Sequence, residues 1–168
     1  MITKFYLFTI AALIAFTGLS AKGTPDNSTS GQLGVELSSQ LRYNGKKVSD
    51  YTLIIYCDTN AAETLYVEKA KMIYLQLDYN HNYTLRYLKD GFRERVLLVN
   101  THVDGKVAKK DREFDYEIEL IPQNAPANTL GDLPVAIIRY DKAQDKFDYS
   151  KKYHRQVRQK SNENLASN

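Results

Sequence analysis

One glycine between two strand-forming runs constrains this chain more than any other feature. The stretch 83–101 reads Tyr-Thr-Leu-Arg-Tyr-Leu-Lys-Asp-Gly-Phe-Arg-Glu-Arg-Val-Leu-Leu-Val-Asn-Thr. Asp-Gly between arms rich in aromatic and β-branched residues is the strongest short-range hairpin signal. Gly91 suits the turn because it reaches positive φ without the cost a Cβ imposes. In the first arm Tyr83, Leu85 and Tyr87 share the expected core face, opposite Thr84 and Arg86. In the second, either Val96 and Leu98 or Leu97 and Val99 face inward, and the pattern does not choose between them. A lone hairpin is marginal in water, so more strands and a covering layer must come from the rest of the sequence.

They do. From position 33 the period is two: Leu33, Val35, Leu37 and Leu41 on one face, Glu36, Ser38, Gln40 and Arg42 on the other. Asn44-Gly45 is a second tight-turn signal, and 51–57 is apolar on both faces, as a central strand is. The run 58–63 reads as a polar loop, 63–72 as a short helical turn and 72–77 as a strand. Phe114, Tyr116, Ile118 and Leu120 alternate with Asp115, Glu117 and Glu119, the clearest half-buried strand of the chain. Pro122 and Pro126 make 122–132 a loop, and Pro134 marks 134–140 as an edge strand or a strand beginning. Short strands with turn signals at this spacing, and no long helix, predict an all-β fold. The expectation is an antiparallel Ig-like or prealbumin-like β-sandwich of about seven strands over 32–153.

The ends speak to compartment. Lys4 followed by the apolar run 5–16 and the small residues Gly18, Ser20 and Ala21 has the form of an export signal, with 1–21 removed. The run is shorter than the 20 or so apolar residues that a membrane span needs. Positions 22–31 read as a disordered spacer, and 154–168 as a disordered basic tail. Phe147, Tyr149 and Tyr153 are expected to pin the start of that tail to the sandwich. Without Lys4, 22 basic residues face 20 acidic ones, a net of +2. So weak a field gives no argument for an anionic membrane surface or for nucleic acid, and no nucleic acid partner is expected. Cys57 is the single cysteine, so no intramolecular disulfide forms, and it reads as a small buried hydrophobe.

Two segments together resemble a known group. They are Lys89-Asp90-Gly91-Phe92 through Val99-Asn100-Thr101, and Leu133-Pro134-Val135-Ala136-Ile137-Ile138-Arg139-Tyr140-Asp141 with Lys146-Phe147-Asp148-Tyr149. The chain resembles uncharacterised exported proteins of Bacteroidota with a carboxypeptidase-regulatory-like (prealbumin-like) β-sandwich domain. It departs from that pattern in 58–65, which holds no Gly. The resemblance implies a periplasmic or cell-surface module, accessory to envelope machinery.

No motif for catalysis stands out. Nucleophile-elbow, phosphate-loop and paired His-Glu zinc patterns are absent from the sequence. His81, His102 and His154 are scattered and read as surface residues, and Asp141, Asp145 and Asp148 lack the Gly and spacing of a calcium loop. Asp115, Glu117 and Glu119 read as a wet strand face. The expectation is therefore a protein that is not an enzyme, with no catalytic residues, no cofactor and no metal. Its role would be structural or protein-interacting in the cell envelope, through a strand edge near Leu33 or Pro134. The alternative is a small glycan-binding, lectin-like module stacking sugars on Tyr56, Tyr74 and Tyr79.

Overall fold

A computed structural model describes residues 33–69, 71–109, 111–126 and 133–157. The expected export signal and the spacer expected at 22–31 lie outside these residues. The described part is an all-β sandwich of two sheets packed face to face. Its strands are β1 (Gly34–Tyr43), β2 (Lys46–Lys47), β3 (Tyr51–Cys57), β4 (Asn60–Val67), β5 (Ile73–Asp78), β6 (Asn82–Leu88), β7 (Arg95–Asn100), β8 (Arg112–Glu119), β9 (Ala136–Asp141) and β10 (Lys146–Tyr149). One sheet has the order β10-β9-β7-β6-β3-β4; in the other, β1 lies between β8 and the pair β5 and β2.

The hairpin forms the middle of the larger sheet. β6 and β7 pair antiparallel from Asn82↔Asn100 to Tyr87↔Arg95. Gly91 turns the chain at φ 81, and the Phe92 N–H closes the turn on the Lys89 carbonyl at 3.1 Å. Tyr83, Leu85 and Tyr87 face the core as the pattern requires. The choice left open in β7 falls to Leu97 and Val99, both buried. They stand opposite Leu85 and Tyr83, so cross-strand register decides what alternation cannot.

Several expectations are corrected. The sandwich is not purely antiparallel: β1 runs parallel to β8, and β7 to β9. Parallel neighbours need a long crossover, and here each is separated from its partner by other chain segments. The run 63–72 is not a helical turn. Its first half, 63–67, belongs to β4, which pairs antiparallel with β3, and the loop before it shrinks to Asp58-Thr59.

β1 is flanked on both sides, so it is no docking edge, and Leu33 lies outside it. Its inner face is Val35, Leu37, Ser39 and Leu41, all fully buried. The other face is not wet either, for Ser38 and Gln40 are buried too. Gly34 at its start admits no side chain, since a Cβ would stand 2.2 Å from the Leu77 carbonyl oxygen of β5. β9 is also internal, between β7 and β10, so Pro134 opens a strand without marking an edge.

The described residues run past 153, the expected end of the sandwich. Residues 151–157 are helical, begun by Ser150, whose hydroxyl takes the Tyr153 N–H and whose carbonyl takes that of His154. Phe147 is buried and the Tyr153 hydroxyl donates to the Pro134 carbonyl, so both anchor this end. The basic tail drawn from 154 therefore starts inside a helix, and 158–168 lie outside the described residues.

Candidate functional site

One end of the sandwich gathers three side chains of ligating chemistry. Cys57 is the last residue of β3 and, by alternation with Leu53 and Ile55, points to the inner side. Asp58 follows in a two-residue loop with φ 55, a left-handed conformation that its short polar side chain tolerates better than most. His81 comes from the turn between β5 and β6. β3 and β6 are antiparallel, and the pair Cys57↔Tyr83 brings the two turns together.

The contacts fix this corner. The Asp58 N–H donates to the Asn82 carbonyl at 2.7 Å, and the Asn82 N–H returns to Asp58 Oδ1 at 3.0 Å. The carboxylate thus stands in for a strand carbonyl where the ladder ends. Its other oxygen, Oδ2, meets His81 Nδ1 at 2.9 Å. One ligand atom from each of Cys57, Asp58 and His81 lies within 4.8 Å of the others. His81 is held by Thr101, fully buried at the end of β7. The Thr101 hydroxyl accepts the His81 N–H at 3.0 Å and faces the Asp78 and His81 carbonyls at 2.7 and 3.0 Å.

Electrostatics follow from these contacts. The hydrogen bond from His81 holds the Asp58 carboxyl below its ordinary value, with the Asn82 N–H helping. Burial pushes the Tyr83 phenol up, and its neighbours Cys57 and Asp78 add to the rise. The Tyr83 hydroxyl accepts the Asp78 N–H at 3.0 Å, which works against that rise.

Beside this corner a cleft of about 460 Å³ opens between the edge strands β4 and β5 of the two sheets. Ile55, Leu65, Leu75 and Leu77 form its apolar wall; Cys57, Glu63, Asp78 and Tyr83 supply polar groups, and Tyr74 stands at its rim. Tyr74 is 60% exposed, and Tyr66 on β4 is 64% exposed.

The three tyrosines singled out from the sequence are not brought together. Tyr79 is in the core, its ring stacked 6.4 Å from that of Phe147. Tyr56 is half-buried on β3, with the Arg86 guanidinium 5.9 Å over its ring. Tyr74 alone is open. The acidic residues are engaged singly. Asp145 pairs with Arg112 at 2.8 Å, Asp148 with Lys146 at 3.7 Å, and Asp141 takes the Ala143 N–H at 2.9 Å. Asp115 bonds Ser38, Glu117 pairs with Arg42 at 2.7 Å and Glu119 takes the Asn44 N–H at 2.7 Å.

Sequence reading missed the union of Cys57, Asp58 and His81. The signal was present but indirect: a strand ending at Cys57 and an arm starting near Tyr83 meet at one end if they pair antiparallel.

No family model matches the chain, and no curated protein does. Among solved structures, catechol 1,2-dioxygenase from Pseudomonas arvilla C-1 is similar at 11% identity and a TM-score of 0.39. The match covers 60% of this chain and 56% of that one, a likeness too remote to bear on chemistry.

Proposed function

We propose that this chain is a non-enzymatic, exported β-sandwich protein with a protein-interaction role in the bacterial cell envelope. The observation that carries the reading is the side where β4 and β5, outer strands of their sheets, flank one apolar cleft. Edge strands offer unpaired N–H and C=O groups along their length, and an extended segment can add to them while its side chains enter the cleft. Tyr66 and Tyr74 at this side supply aromatic area of the kind enriched at interfaces. The contact surface moves accordingly from Leu33 and Pro134 to β4 and β5. Export rests on the form of 1–21. The glycan reading loses ground, because stacking needs open ring faces and Tyr56 and Tyr79 do not offer them.

The test is photo-crosslinking in the producing cell, with a photoreactive residue at position 66, 74 or, as control, at the exposed Glu113 of β8. A discrete envelope-protein adduct from 66 and 74 but not from 113 is expected, on a chain whose mass shows loss of 1–21. No adduct, or the same adduct from 113, overturns the interaction role; an unprocessed cytoplasmic chain overturns export.

A further inference from the structure

We propose that Cys57, Asp58 and His81 form a binding site for one divalent transition cation of the zinc type. The donor set points to that class. A thiolate and an imidazole with one carboxylate suit zinc, whereas calcium and magnesium take shells of oxygen. A tetrahedral ion with bonds of about 2.0–2.3 Å spaces its ligand atoms about 3.3–3.7 Å apart. The three ligand atoms already lie within 4.8 Å of one another, so closure needs movements of at most ~1.5 Å. The charges also balance: thiolate and carboxylate together neutralise a divalent ion, with the thiol proton released on binding.

The surroundings support the ligands as metal sites require. Asp58 is oriented by the Asn82 N–H, and the loop carrying His81 is pinned by the buried Thr101 hydroxyl. The ligands come from two strand ends joined by backbone pairing, so the fold brings them together without the ion. Three protein ligands leave a fourth position for water or for a donor from another molecule. Cys57 borders the cleft between β4 and β5, so an incoming group has a route to the ion.

The test uses the full chain, stripped with a chelator and titrated with Co²⁺ and then Zn²⁺. One equivalent of Co²⁺ should bind with a thiolate-to-metal charge-transfer band, which Zn²⁺ then removes. Cys57→Ser should abolish the band. His81→Ala and Asp58→Asn should each weaken Zn²⁺ binding at least tenfold, measured by calorimetry. Asp58→Asn is the variant least apt to disturb the fold, since Asn also tolerates the positive φ of that position. Circular dichroism of each apo variant separates lost ligation from lost structure. Absence of the charge-transfer band, or wild-type Zn²⁺ affinity in folded Asp58→Asn and His81→Ala, overturns the site. Both outcomes are read on purified protein and do not depend on export or on any partner.

Discussion

The phenol of Tyr87, buried in the middle of the larger sheet, donates a hydrogen bond of 2.9 Å to the hydroxyl of Ser39 on β1. The bond crosses the apolar core and joins the two layers where neither group can reach water. A buried polar group left unpaired costs about 1–3 kcal/mol, more than the net worth of the bond itself. Tyr87→Phe and Ser39→Ala should therefore each lower stability by about 1–2 kcal/mol, the second by stranding the phenol. The double variant should cost less than their sum, by about 0.5 kcal/mol or more. Urea denaturation of the four proteins measures this; strictly additive losses would show that the pair is not coupled.

Tyr51 gives the opposite case in the same core. Its ring lies 6.3 Å from that of Tyr87, and its hydroxyl is buried with no hydrogen-bond partner among the described residues. Tyr51→Phe should thus be neutral or stabilising by up to about 1 kcal/mol. Burial also pushes its phenol up to about 12. A folded-state value above the unfolded one means stability that is full below pH 10 and lost as pH rises from there through about 12. Tyr51→Phe should lessen that alkaline loss, part of which remains because burial raises Tyr87 as well. If Tyr51→Phe costs as much as Tyr87→Phe, the account of both phenols fails.

These two tyrosines mark what local pattern can and cannot reveal. Alternation placed Tyr87 on the core face, because one face of β6 is apolar and the other polar. It could not orient β7, where Val96, Leu97, Leu98 and Val99 are apolar without a break. There pairing with β6 chose the face. It could not find β4, whose residues Ala61, Ala62 and Glu63 have little strand preference; pairing of Ala61 with Tyr56 and of Glu63 with Ile55 holds them in the sheet. The parallel pairs β1–β8 and β7–β9 left no local mark, since each joins segments far apart in the chain. The corner of Cys57, Asp58 and His81 was hidden for the same reason: a β3–β6 register assembles it, and no motif does.

On the outer face of the larger sheet, Arg86 grips Glu94 with two nitrogens, and the second bond is 2.8 Å. The guanidinium holds the Glu94 carboxyl below its ordinary value of 4.5. A depressed value means stability that is present above pH 4.5 and lost as pH falls through the folded-state value. Both side chains are about one-third exposed, so solvent screening limits the gain to about 0.5 kcal/mol. Glu94→Gln should be less stable than the parent by that amount near pH 7, and the gap should close as pH falls below 4.5 through the folded-state value. The gap should also narrow in high salt. A gap that does not change with pH would assign the loss to packing.

Thr101 offers the sharpest separation of fold from site. Its hydroxyl binds the turn that carries His81, while its backbone N–H and carbonyl hold the His81 carbonyl at 2.9 Å and the Asn80 N–H at 3.1 Å. Thr101→Val keeps the shape and both backbone bonds and removes only the hydroxyl. The half-buried His81 N–H and Asp78 carbonyl then lose a partner, at a cost of about 1 kcal/mol. Because the backbone tether survives, the strands should stay paired and the loss should concentrate in the turn. Hydrogen exchange should speed up at His81 and its neighbours and not at Leu85 or Leu97, whose amides belong to the sheet interior. Uniform acceleration across β6 and β7 would mean that the hydroxyl supports the whole hairpin. No acceleration at His81 would mean that it does not position that imidazole at all.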